Sequence, residues 1–213
     1  MRRLLLALLC IPLLSTSACR SPYYWAMDKL GIQKREILVD RVQEGRDAQE
    51  EAKEQFQSAL EAFRAVHDFD GGDLEEIYER LNDEYEDSVD RADEVRSRIS
   101  SIETVAGDLF TEWQDELGVM TNPELKRQSK EMLSSTKDRY GELLGAMNKA
   151  ESSMQPVLDA FRDHVFALKH NLNAQAIASL SGELRSIETD IGSLITDMES
   201  SIAEADAFLD TLN

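Results

Sequence analysis

From Leu74 to Trp113, apolar residues recur in alternating steps of four and three, and this spacing constrains the fold more than any other feature of the chain. Leu74, Tyr78, Leu81, Tyr85, Ser88, Ala92, Val95, Ile99, Ile102, Ala106, Leu109 and Trp113 keep the step, and Ser88 is the one polar member. A mean step of about 3.5 residues is the signature of helices that coil against one another. Ile77, Val89, Phe110 and Leu117 widen the stripe, as a helix with more than one neighbour requires.

Two further stretches carry the same step. One runs through Leu133, Thr136, Tyr140, Leu143, Met147, Ala150, Met154, Val157, Phe161, His164 and Leu168. The other runs through Ile177, Leu180, Leu184, Ile187, Ile191, Leu194, Met198, Ser201, Ala205, Phe208 and Leu212. The first helical stretch is more polar. Leu38, Val42, Ala52, Phe56, Ala59, Phe63 and Val66 hold the register, while Gly45 and Gln49 interrupt it. No useful length of strand-like alternation occurs. The spacing predicts helices over about 36–69, 74–118, 123–170 and 174–212, within a domain of residues 36–213. Helices of this size are roughly 60–70 Å long. Short connections between long helices make neighbours antiparallel. The expected fold is all-α: an elongated antiparallel four-helix bundle or coiled coil. A hairpin that completes its core as a homodimer is the rival.

The breaks read as corners. In GGDLEE, residues 71–76, a glycine can take the left-handed conformation that ends the first helix. Asp73 and Glu76 then supply a capping box for the second. An enzymatic Gly-Gly-Asp loop would need a hairpin between strands, and the surrounding pattern is helical. Thr121 and Glu124 repeat the box around Pro123. Asn171 is suited to stop the third helix and Asn173 to cap the fourth. Pro156 falls inside the third stripe and is expected to kink that helix and free the carbonyl of Ser152; the bend fits bundle curvature, with a partner-binding notch as the alternative.

The N-terminus reads as an address. Arg2-Arg3 precede an apolar run from Leu4 to Leu14, followed by Ser15, Thr16, Ser17, Ala18 and Cys19. A positive region, a short apolar region and small residues form a secretory signal over 1–18. Eleven apolar residues fall short of the about 20 that span a bilayer. A cysteine directly after small residues resembles a bacterial lipobox, which makes Cys19 the expected lipidation site. Ser17 and Ala18 fit that pattern, and Thr16 stands where such signals carry an aliphatic residue. Acylation would anchor a linker of residues 19–35, whose aromatics Tyr23, Tyr24 and Trp25 are expected to pack on the start of the first helix. Arg20 follows the cysteine, which favours the outer over the inner membrane, with the body in the periplasm.

Charge narrows the partners. The net charge is −19, and loss of residues 1–18 removes Arg2 and Arg3 and no acid, moving it to −21. Such a surface repels phosphate backbones and anionic lipid, so no nucleic acid is expected and the membrane is met through the anchor only. Cys10 and Cys19 are the two cysteines, so the body has neither a disulfide nor a thiolate metal site.

Signatures of chemistry are missing. Di-iron bundles need Glu three residues before His, but Arg64, Phe161 and Ala167 precede His67, His164 and His170. His164 lies on the apolar seam, as a core histidine does. There is no phosphate-binding loop and no Gly-x-Ser-x-Gly elbow. Asp83, Glu84, Glu86 and Asp87 read as the solvated face of the second helix. No catalytic residue, metal ligand or cofactor is expected.

KREILVDRV after Gly31-Ile32, EEAKEQFQSALEAF, FDGGDLEEIYERLNDEYEDS, ALKHNLNAQAIASL and DMESSIAEADAF span nearly all of the chain after residue 22. Together they resemble domain-of-unknown-function family 2959, signal-bearing helical proteins of Gram-negative bacteria. The resemblance implies an envelope location and a coiled-coil-like fold, and brings no activity, ligand or catalytic residue. The reading that follows is a non-enzymatic periplasmic lipoprotein, structural or protein-binding, whose partners are envelope proteins. The alternative is a chaperone or carrier with an apolar inter-helix groove.

Overall fold

The computed structural model describes residues 33–67, 74–170 and 174–212. The signal, Cys19, the aromatic linker before Gln33, the Gly71-Gly72-Asp73 corner, Asn171 and Asn173 lie outside the described residues. Four helices follow in order: α1 Lys34–His67, α2 Leu74–Val119, α3 Pro123–His170 and α4 Ala174–Leu212. Each packs on its neighbours in cyclic order, with α4 returning to α1.

Cross-helix pairs fix the directions. Glu44 and Glu51 of α1 meet Arg98 and Arg91 of α2, so numbers rise on one helix as they fall on the other. Arg46 and Arg64 likewise meet Asp206 and Glu188 of α4. Arg96 and Trp113 of α2 meet Glu151 and Ser129 of α3, and Lys149 and His164 of α3 meet Asp197 and Glu183 of α4. The product is an antiparallel four-helix bundle. Exposed ion pairs of this kind contribute at most about 1 kcal/mol each. Their clearer role is to mark the register that the apolar core imposes.

That core is the heptad stripe. Leu38, Phe56, Leu81, Ile102, Leu143, Met147, Met154, Phe161, Ile191, Leu194 and Phe208 are fully buried. Burying a large apolar side chain contributes about 1.5–3 kcal/mol. Long side chains cross the diagonal: Phe161 of α3 stacks on Phe63 of α1 at 4.6 Å between ring centroids and lies 6.4 Å from Phe56. One turn of α1 comes in closer. A Cβ on Gly45 would stand 2.7 Å from Ile102 Cδ1, so the missing side chain lets α1 settle onto α2. Gly45, one of the two residues that interrupt the α1 stripe, is thus a packing position.

The corner before α3 departs from expectation. Asn122, not Thr121, is the cap: its Oδ1 accepts from the amides of Glu124 and Leu125 at 3.0 and 3.2 Å. Asn is among the strongest N-caps, and Pro123 then takes the first helical position, where its missing N–H costs nothing. Helix α3 runs unbroken through the exposed Pro156. One turn earlier, the hydroxyl of Ser152 donates to the carbonyl of Lys149. Among the described residues, no helix is long and apolar enough to cross a membrane.

Candidate functional site

The helices differ in length, and the difference builds a surface. Lys34, the first residue of α1, pairs with Glu112 of α2 at 3.0 Å. Near the end of α4, Phe208 sits 6.3 Å from Tyr140 of α3, whose ring meets Phe110 edge-on at 5.4 Å. The aromatic layer Phe110–Tyr140–Phe208 therefore lies near the level where α1 begins and α4 ends. Beyond it α2 continues to Val119 and α3 begins at Pro123, an arm of two helices about 10–20 Å long. Trp113 Nε1 donates to Ser129 Oγ at 2.8 Å, and Leu117 and Leu133 are buried between the two helices.

The arm also carries exposed apolar side chains. Val119 is 79% exposed, Met132 62%, Leu125 55% and Met120 38%. Their heptad phase explains the exposure. Met132 and Leu125 lie three and four heptads before Ser153, whose hydroxyl donates to Asp197 of α4. They therefore continue the flank of α3 that α4 covers lower down. Val119 lies three heptads after Arg98, which faces Glu44 of α1, and one after Glu112, which faces Lys34. It continues the flank of α2 that α1 covers. Among the described residues, nothing takes the place of α1 and α4 on the arm.

Cys19, the expected lipidation site, lies outside the described residues. His164 is built into the bundle: its side chain is 12% exposed, its ring meets Phe63 edge-on at 5.7 Å, and Nε2 lies 3.1 Å from Glu183 Oε2. Burial pushes its pKa down, while Glu183 and Asp163 oppose the shift. Burial wins because Glu183 is 64% exposed and water screens its charge. His170 is exposed, and among the described residues no group of three or more His, Asp or Glu converges on one point. The carboxylates on α2 need one correction. Asp83, Glu86 and Asp87 are exposed, but Glu84 is half-buried at the α1 seam, where it accepts from Gln55 Nε2 at 2.7 Å and Ser58 Oγ at 2.8 Å.

Three polar side chains are sealed inside the core among the described residues: Gln49, Ser88 and Ser201. Gln49 and Ser201 are fully buried, and among the described residues neither the Gln49 amide nor the Ser201 hydroxyl has a hydrogen-bond partner. The register of Arg46 with Asp206 puts them at a similar level of α1 and α4. Ser88, also buried, is satisfied by the carbonyl of Glu84 at 2.6 Å.

Residues 23–212 match the model of a family described as protein of unknown function, DUF2959. The chain belongs to that family. No curated protein and no solved structure matches it. The DUF2959 match covers all four helices and the arm, and it begins four residues after Cys19. Sequence reading missed the arm because its α3 stripe started at Leu133, leaving Leu125 and Met132 outside. The available signal was the mismatch in length between neighbouring stripes.

Proposed function

We propose that this DUF2959 protein is a non-enzymatic lipoprotein of the cell envelope, a rigid helical spacer that holds or separates envelope proteins on the periplasmic side. Cys19 carries the lipid, the residues up to α1 form the tether, and the bundle is the working body. The outer membrane is favoured, since Arg20 follows the cysteine. Acyl chains contribute about 0.8 kcal/mol per buried CH₂, so two or more hold the chain stably without help from an anionic body. The observation that carries the reading is the filled core. Fully buried large side chains follow one another from Leu81 and Phe161 near one end to Phe208 near the other, which is how a rod is stiffened rather than how a pocket is lined.

The test has two arms. Cells expressing the full chain are labelled with radioactive palmitate beside a Cys19→Ala variant. Label on the parent and none on the variant is expected, and an unlabelled parent removes the anchor. A hydrophobic dye added to the purified body separates the spacer from the carrier. Weak dye fluorescence is expected of a closed rod, whereas strong, saturable binding would favour a carrier with an inter-helix groove.

A further inference from the structure

Five large apolar side chains are strongly exposed among the described residues, and four of them lie on the arm. Three of these, Val119, Met120 and Leu125, surround the tip where α2 passes into α3. The charge there is inverted relative to the chain as a whole. Residues 123–130 hold Lys126, Arg127 and Lys130 against Glu124 alone, in a chain with 42 acids and 23 bases. Arg127 is occupied by Glu124 and Glu131, whereas Lys126 and Lys130 have no ion-pair partner among the described residues. Apolar side chains flanked by unpaired lysines are how surface-lying segments enter a bilayer interface: the apolar groups sink, and the ammonium groups stay at the phosphates.

Chain connectivity identifies the surface. Lys34 pairs with Glu112 at the base of the arm, so the chain enters the bundle at the end from which the arm projects. Fourteen residues separate Cys19 from Lys34, a span of at most about 50 Å. The arm reaches about 10–20 Å past that level. A bilayer holding Cys19 is thus within reach of the tip with slack to spare. We propose that the tip of the arm, Val119, Met120 and Leu125 with Lys126 and Lys130, rests in the headgroup layer of the membrane that anchors Cys19. The reach rests on the lipoprotein reading above, while the chemistry of the tip stands apart from it. Asp115 and Glu116, one turn behind the tip on α2, keep the contact shallow and favour a zwitterionic surface over an anionic one.

After Cys19 the chain has no other cysteine. A Val119→Cys variant of the acylated full chain therefore takes one environment-sensitive fluorophore at the tip, and Phe166→Cys takes it at the far end of α3. Both are reconstituted into phosphatidylcholine vesicles, with acylation of Cys19 checked by mass spectrometry. The expected result is a blue shift at position 119, with loss of quenching by aqueous iodide, and neither change at position 166. Equal iodide quenching at both positions in the acylated chain overturns the proposal and leaves the anchor intact. A blue shift that needs no vesicles and grows with protein concentration overturns it in favour of a second copy. If Cys19 proves unacylated, the same variants in a Cys10→Ser, Cys19→Ser background are titrated with vesicles. A shift at 119 alone then sustains the tip contact without the anchor, and no shift ends it.

Discussion

Gln49 shows how a single residue can cost a bundle stability. Both polar atoms of its amide are buried without partners among the described residues. Such a group forfeits its hydrogen bonds to water, at about 1–3 kcal/mol. Gln49→Leu keeps the size and removes the penalty, so it is expected to stabilise the bundle by about 1–2 kcal/mol, read as a higher urea midpoint at unchanged slope. Tyr140 sets a pH limit. Burial, with Glu103 adding to it, pushes its phenol up to about 12. An unfolded tyrosine titrates near 10, so the folded state holds its proton longer. That contribution is complete below pH 10 and lost as pH rises towards 12. Urea midpoints measured across this window are expected to fall for the parent and to fall less for Tyr140→Phe. His164 works in the opposite direction. Its folded pKa lies below the usual value, so the unfolded chain takes up the proton first and stability is lost as pH falls through the range below 6.5. At this scale the sequence was partly legible. The stripe marked Gly45 and Gln49 as interruptions, but only the packing shows that the first fits closely against Ile102 and the second is an unpaired amide. Thr121 and Asn122 are both competent caps, and one residue of register, invisible to spacing, decides between them.

Helices α1 and α3 meet across the diagonal through their aromatics. Phe161 is fully buried and touches Phe56 and Phe63, so nothing small can reach across to fill the space it would leave. Phe161→Ala is expected to cost about 3–5 kcal/mol, checked by chemical denaturation. The arm behaves differently, because α1 and α4 do not support it. Replacing residues 114–131 with a short turn is expected to leave cooperative unfolding at a urea midpoint close to the parent's, with a smaller slope because less surface is buried. Loss of cooperativity would mean that the arm belongs to the core. Helix type and pairing were readable because one period ran through each stretch, and the buried positions follow it closely from Leu81 to Ala106, from Leu143 to Leu168 and from Ile187 to Leu212. Where the partners stop was harder to read. A heptad records that a face is apolar, but not which neighbour is long enough to cover it.

On the scale of the molecule, unequal helices give the bundle two ends of different character. At one end α1 passes towards α2, and α3 towards α4, around the two corners that lie outside the described residues. At the other, α2 and α3 run on alone past Glu112 and Tyr140. Because α1 begins at Lys34 beside Glu112, the chain enters the bundle at the end that carries the arm. A load applied between that entry and the far end, where α3 passes towards α4, would enter through α1 and pass sideways into α4 along their shared flank. It would slide whole interlocked ridges past one another instead of peeling them apart a layer at a time, the stiffer of the two ways to pull on a coiled coil.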